Sequence, residues 1–407
     1  MPCQAADVIA TVTCFGRCFT QNGRLSTIFD VAIVGGGPAG ARAGAVLAHG
    51  GARVALLDDS HPREKPCGGG VTARALALVE SSVARLAGGV AVESARFGHD
   101  GRTVTMPLGD ASGRPRLAVV SRRIFDEHLL ECAGAAGATL HKARVLNAHR
   151  SNGTWLLTTR TEPLRARWLI GADGPGSLVR RTVTTPFGRG DLSIAAGYYI
   201  RGLTSRQVDI FFVDDPPGYL WSFPRPDHLA VGVCAQADVS TSAQLLALCG
   251  RWLDAHVSGG SRQRYGWPIP SLTEATLQRE HPAGDGWMLA GDAAGLVDPV
   301  TREGIFFALL SGELAAESLL SDRNPASDYV ARLRGTIYPE LTAAARLKAR
   351  FYRPRFMRLL ITALGRSAQI QAVMADLVAG EQPYHSLRGR LLRTFEWRVM
   401  ASLFSRT

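Results

Sequence analysis

Lysine is almost missing from this chain. Only three of its 46 basic residues are lysines (Lys65, Lys142 and Lys348), and the formal net charge of +11 is carried by arginine spread along the whole length. No basic patch interleaved with aromatic rings occurs before the C-terminus, which argues against nucleic acid as a partner. A surface of this sign suits anionic cofactors or anionic lipid headgroups. No run approaches the roughly 18 uninterrupted apolar residues of a spanning helix, which argues against an integral membrane protein. The seven cysteines (Cys3, Cys14, Cys18, Cys67, Cys132, Cys234 and Cys249) are odd in number and lack paired spacing. Neither a disulfide framework nor a metal cluster is expected, and a reducing, cytoplasmic setting follows. Residues 1–29 lack a basic start followed by a long apolar core, so they read as a flexible extension or an upstream start and not as a signal peptide. What is present is 407 residues of globular composition, 46% hydrophobic and 20% charged, enough for two or three domains.

The most informative stretch runs from Asp30 to Asp58. Val31, Ile33 and Val34 form a strand, glycines interrupt it, a small-residue helix follows, and Val54 to Leu57 read as a second strand. In this βαβ unit Gly35 permits the tight turn, Gly37 admits a pyrophosphate to the backbone, and Gly40 brings helix and sheet close together. The diphosphate would lie on the helix N-terminus, where free N–H groups and the positive dipole end point. Asp58 follows Gly35 by 23 residues and ends the second strand, where a ribose hydroxyl would be accepted. A lone glycine fingerprint is weak. The flanking strands, the fourth small position Gly44 and the terminal acid make dinucleotide binding the reading.

Further along, the Pro- and Gly-rich loop around Cys67 leads into a helix near Thr72. Gly68, Gly69 and Gly70 would let backbone approach a flat ligand. Cys67 reads either as a small buried hydrophobe or as a thiol made reactive by Lys65 and a helix N-terminus. Residues 92–108 alternate around Asp100-Gly101, a hairpin signal. From Arg122 an amphipathic helix is expected, with Phe125, Leu129 and Cys132 on one face. Arg122 and Arg123 at its start are surface charges or reach a phosphate or flavin edge. Residues 171–181, GADGPGSLVRR, bring Asp173 to a turn after a buried strand, with Ser177 capping a helix; this is a ribose or phosphate contact or only a capped turn. Finally, Trp287 to Ala290 form a strand broken by Gly291-Asp292, and a small-residue helix starts near Glu303. A second acid held by a distant segment is what a flavin needs and a nicotinamide does not.

Taken together, GGGPAG with Asp58, KPCGGG, the RxxFD pattern at Arg122, GADGPGSLVRR, GYLWSFPRPDHLAVGVC and GDAAGLVDP resemble the geranylgeranyl reductase family, within the p-hydroxybenzoate hydroxylase-fold flavoproteins, over roughly residues 30–395. The resemblance implies an α/β fold: a Rossmann-like FAD-binding domain of the GR2 type, an inserted antiparallel-sheet substrate domain and a C-terminal helical region. It implies noncovalent FAD, reduced by NAD(P)H or another donor, and hydrogenation of isolated polyprenyl double bonds. By position, Gly35, Gly37, Pro38, Ala39, Gly40, Asp58 and Asp59 would hold the adenosine and diphosphate. Arg122, Asp173, Asp292, Gly304 and Ile305 would be further FAD contacts, and Cys67, Gly68 and Gly69 would flank the isoalloxazine. Two positions depart from the family pattern: Arg302 and Cys234 stand where members usually carry glycine.

Domain boundaries follow: an extension over 1–29, an FAD-binding domain over 30–75, 118–195 and 272–330, a substrate domain over 76–117 and 196–271, and C-terminal helices over 331–407. Tyr219, Trp221 and Phe223 recur at period two, so one strand face carries three rings. That face is ordinary sheet core or, by the resemblance, the floor of an apolar substrate site. Cys67, Tyr219, Trp221 and Arg302 are the candidate catalytic residues. The last stretch interleaves Arg388, Arg390, Arg393 and Arg398 with Leu391, Leu392, Phe395, Trp397 and Leu403, a helix packed on its own domain or lying at a membrane surface. Three functions stay open: a C=C reductase; a monooxygenase hydroxylating an aromatic group, including a Trp or Tyr of a protein substrate; and an electron-transfer flavoprotein serving a quinone, a reductase or another partner.

Overall fold

The computed structural model describes residues 28–79, 89–109, 116–321 and 323–393. Residues 1–27, with Cys3, Cys14 and Cys18, and residues 394–407, with Phe395, Trp397, Arg398 and Leu403, lie outside the described part. The expectations about the N-terminal extension and the amphipathic tail fall largely there.

One sheet is built around the strand Ile28–Val34. Val54–Leu57 flanks it on one side and Leu164–Gly171 on the other, with Thr139–His141 and Trp287–Leu289 beyond them. These four pairings are all parallel. Parallel strands covered on both faces read as continuous apolar runs, and all four residues of Val54–Leu57 are buried. Register aligns the carboxyl ends: Val34 pairs with both Leu57 and Gly171, and Gly171 pairs with Leu289. Chain order reverses at the central strand, so a crevice opens beyond these ends.

The second sheet has seven strands, in the order Ser261–Pro270, Leu192–Arg201, His228–Gln236, Pro217–Pro224, Gln207–Asp214, Ser94–His99 and Arg102–Pro107. It is antiparallel except where Ser94–His99 meets Gln207–Asp214. The Asp100-Gly101 hairpin forms as expected, both residues at positive φ (49° and 73°). Helix Ser242–His256 packs Leu245, Cys249 and Leu253 on one face of the sheet. Helices Tyr338–Phe351, Pro354–Leu364 and Ala368–Val378 cover the other face, against Phe97, Val208 and Phe212.

One local expectation needs correction. The helix near Thr72 is a single turn, Ala73–Leu76, because Gly70–Thr72 is drawn into a small sheet with Leu117–Val119. In helix Arg122–Ala135, Phe125 and Leu129 are buried in one cluster and the half-buried Cys132 packs against it, as expected, while Ala133 turns to the core of the parallel sheet. The small-residue helix expected from about Glu303 spans Ile305–Ser321. Among the described residues no helix is long and apolar enough to cross a membrane.

Candidate functional site

The aligned strand ends deliver Gly35, Asp58, Asp173 and Asp292 to one crevice. Gly35 has φ +107°, and a β-carbon there would lie 2.3 Å from Ala172 O; one on Gly40 would lie 1.9 Å from Gly35 O. No side chain larger than hydrogen fits either place. Helix Pro38–His49 makes its first internal bond from Ala41 N to Gly37 O (2.9 Å), which leaves the N–H groups of Ala39 and Gly40 without an intrahelical acceptor. Beside Gly37 the space is open: a β-carbon there would meet only His61 Nε2, at 3.8 Å. Asp59 also lines this crevice.

Each acid is engaged by the protein itself. Asp58 accepts from Gly36 N (2.6 Å), Ser60 N (2.6 Å), His61 N (2.8 Å) and His61 Nδ1 (2.9 Å). Burial opposes its ionisation, yet the bonds and charge of His61 hold its pKa well below the usual carboxylate range. Asp173 receives Leu178 N (2.6 Å) and the hydroxyl of Ser177, so it fastens the start of helix Leu178–Val183; burial raises its pKa. Asp292 pairs with Lys65 Nζ at 3.1 Å, and Gly304 and Ile305, at the start of the helix that follows, line the adjoining cavity that Asp292 also borders.

From Asp58 a chain of alternating charges runs inward. His61 Nε2 lies 3.4 Å from Asp126, which holds the buried Arg122 through two bonds of 2.7 and 2.9 Å. Burial opposes the charge of Asp126, and Arg122 restores it, keeping the pKa low. Arg122 Nη1 donates to Cys67 Sγ (3.6 Å). Arg225, fully buried, donates to Cys67 O (3.0 Å), pairs with Glu64 (3.0 Å) and lies flat against Gly69. Glu64 in turn accepts from Ser121 Oγ (2.7 Å) and Arg122 N (3.1 Å). The Cys67–Gly70 loop is thus held from below by two paired arginines.

Past this loop the crevice continues into an apolar cavity; the two share Pro38, Lys65, Arg122, Trp267 and Asp292. Tyr219, Trp221 and Phe223 line it from the strand Pro217–Pro224, with Phe223 against Gly68. Tyr219 is stacked on Tyr352 (6.4 Å between centroids, 6° between planes) and donates to Thr301 O at 3.0 Å. Burial drives its hydroxyl pKa well above the ordinary value. Arg302, at φ +63°, stands at the cavity wall, with burial opposing its charge and Cys234, Tyr352 and Tyr219 around it.

Several participants were not singled out from the sequence. Glu64, Arg225, His61 and Asp126 carry the charge chain, and Phe351, Tyr352, Met374, Leu377 and Val378 close the cavity from the C-terminal helices. Asp126 belongs to the RxxFD pattern quoted above. Arg225 lies in the quoted GYLWSFPRPDHLAVGVC stretch and His61 stands three residues from Asp58, but their links to Cys67 and Asp126, like that of Glu64 to Ser121, span more than 50 residues and have no local signature.

Comparison with known proteins supplies the cofactor. Residues 29–211 match a family model described as an FAD binding domain. The chain is similar to a digeranylgeranylglycerophospholipid reductase of Methanothrix thermoacetophila, 32% identical over 71% of this chain and 76% of the relative. It is also similar to a geranylgeranyl diphosphate reductase of Rhodobacter capsulatus, 31% identical over 72% of this chain and 75% of the relative. Its fold resembles that of a geranylgeranyl bacteriochlorophyll reductase-like protein of Thermoplasma acidophilum, with a TM-score of 0.75, 22% identity, and coverage of 91% of this chain and all of that one. The geometry fits FAD. The open helix start at Gly37–Gly40 suits a diphosphate, the acids lie along the crevice, and the Cys67–Gly70 loop borders the cavity that continues from it.

Proposed function

The chain belongs to the geranylgeranyl reductase family of FAD-dependent oxidoreductases, and from that premise we propose that it saturates an isolated C=C bond of an apolar, polyprenyl-type substrate. The observation that carries this reading is the continuity between the crevice at the strand ends and an apolar cavity floored by Tyr219, Trp221 and Phe223. When bound and reduced, the flavin would supply a hydride for one alkene carbon, with a proton from solvent for the other. NAD(P)H, oxidised to NAD(P)⁺, is the proposed source of that hydride.

The chain's own residues do the positioning. Gly35, Gly37, Gly40 and the N–H groups of Ala39 and Gly40 bind the diphosphate. Asp58, Asp173 and Asp292 are assigned to ribose and ribityl hydroxyls. Cys67, Gly68 and Gly69, held by Arg122 and Arg225, form the wall beside the ring. Tyr219, Trp221, Phe351 and Tyr352 exclude water and orient the alkene, which strengthens electrostatic interactions inside the cavity. Hydroxylation of an aromatic group and electron transfer to a quinone, both open from sequence alone, are not favoured: the two relatives described above carry reductase names.

The test is anaerobic turnover. Purified FAD-loaded protein is given NADPH, or dithionite as a donor-independent control, with geranylgeraniol. Products heavier by one H₂ per reduced bond are expected by mass spectrometry. Unchanged geranylgeraniol with both reductants, together with an oxygen-dependent hydroxylated product from an aromatic substrate, would overturn the reading.

A further inference from the structure

Among the described residues, the C-terminal side of the cavity carries a cation with no carboxylate partner, its hydrogen bond going to the thiol of Cys234. Arg302 lines the wall, and its Nε and Nη1 are buried and make no hydrogen bond. The most buried arginines differ: Arg122 and Arg225 at the site, and Arg180 outside it, are each paired with a carboxylate, that of Asp126, Glu64 and Glu280 respectively. The acids nearest Arg302 in the chain are already taken. Asp298 accepts from Val300 N, Thr301 N, Thr301 Oγ1 and Tyr384 OH, and Glu303 accepts from Thr72 and Arg74. The hydroxyls of Tyr219 and Tyr352 are directed to the carbonyls of Thr301 and Val300. A second cation, Lys348, is bonded only to Gln236 and Ser271 among the groups in hydrogen-bond reach. Arg302 also holds a left-handed backbone, at φ +63°, which strains a residue with a side chain. A buried, uncompensated charge in a strained loop is costly to keep.

We propose that Arg302 is the receptor for an anionic oxygen carried by the substrate, so that the molecule reduced here is an apolar chain bearing an acidic group and not a bare hydrocarbon. The inference rests on the reading of the cavity as the substrate site. It makes Arg302 a specificity-determining residue, with the Tyr219 and Tyr352 rings flanking the acidic head and the chain running along the Trp221–Phe223 floor.

Ligand binding tests it without turnover. The oxidised, FAD-loaded protein is titrated with palmitate and with palmityl alcohol, followed by tryptophan fluorescence. Wild type is expected to bind palmitate about tenfold more tightly than the alcohol, the size of one charge-assisted hydrogen bond. Arg302→Gly should abolish the preference and Arg302→Lys should retain part of it. Glycine suits φ +63°, so the variant is not strained, and flavin content and melting temperature of the same samples check its integrity. Equal affinities in wild type, or a preference that survives Arg302→Gly, would overturn the proposal. So would a lowered flavin midpoint potential with an unchanged palmitate-to-alcohol ratio, which would assign Arg302 to the cofactor. If neither amphiphile binds wild type, the cavity is not an apolar ligand site and the functional reading falls with it. If palmitate preference depends on Arg302 while neither geranylgeraniol nor geranylgeranoic acid is reduced, the anion receptor stands and only the polyprenyl assignment fails.

Discussion

Lys348 is one of three lysines in the chain and the one with the most altered chemistry. Burial and the nearby Arg302 guanidinium hold its pKa down at about 7. An unfolded chain keeps such a lysine protonated up to about pH 10.4. Between those values the unfolded state binds more protons, so folded-state stability rises with pH, by at most about 1.4 kcal/mol per unit from this group. Below about 7 both states carry the proton and the penalty is present in full. Lys348→Met should remove this slope. Urea unfolding of wild type and variant across pH 7 to about 10 checks it; parallel profiles would refute it. Three acids at strand ends, Asp58, Asp173 and Asp292, show a different residue-scale lesson. Their positions were readable from turn chemistry, but their partners His61, Ser177 and Lys65 were not all readable, since Lys65 meets Asp292 across 227 residues.

At the scale of elements, the diphosphate cradle depends on how closely two helices cross. Pro38–His49 packs against Ile305–Ser321 at Gly312, where a β-carbon would lie 2.2 Å from Ala39 O and 3.0 Å from Ala39 C. Both obstacles are backbone, so neither can swing aside. Gly312→Ala should cost about 1–3 kcal/mol and weaken flavin retention, because it displaces the turn that presents Ala39 N–H. Gly335→Ala is the control: it lies in helix Pro325–Thr336 with nothing within 4 Å of the added carbon, and should be neutral or stabilising by up to about 1 kcal/mol. Melting temperature and flavin content after gel filtration read both effects. Equal behaviour of the two variants would sink this account. The strand Pro217–Pro224 carries a related point. Its period-two rings were legible, yet whether they floor a cavity or fill a core depended on helices more than 120 residues later, a separation that no local pattern encodes.

At the scale of the molecule, a net charge of +11 and a polyprenyl-type substrate together favour a bilayer surface. Co-flotation with vesicles containing phosphatidylserine is expected at low salt and should fall away as salt rises toward about 1 M, where the screening length shrinks to about 3 Å. Binding that ignores salt would point to apolar insertion alone, and absence of flotation at low salt would remove the membrane from the reading. By itself the sequence determined the βαβ unit, the Asp100-Gly101 hairpin, the capped helix at Ser177 and the dinucleotide-binding character. Those rest on short-range physics: side-chain period, glycine where a β-carbon would collide, and local capping. Tertiary structure alone decided that Arg225 and Glu64 brace the Cys67 loop, that Tyr352 and Phe351 close the cavity, and that Arg302 has no carboxylate beside it among the described residues. These depend on sheet register and on which helices reach the far side of the seven-stranded sheet, and a buried charge is paired or unpaired only once every neighbour is in place.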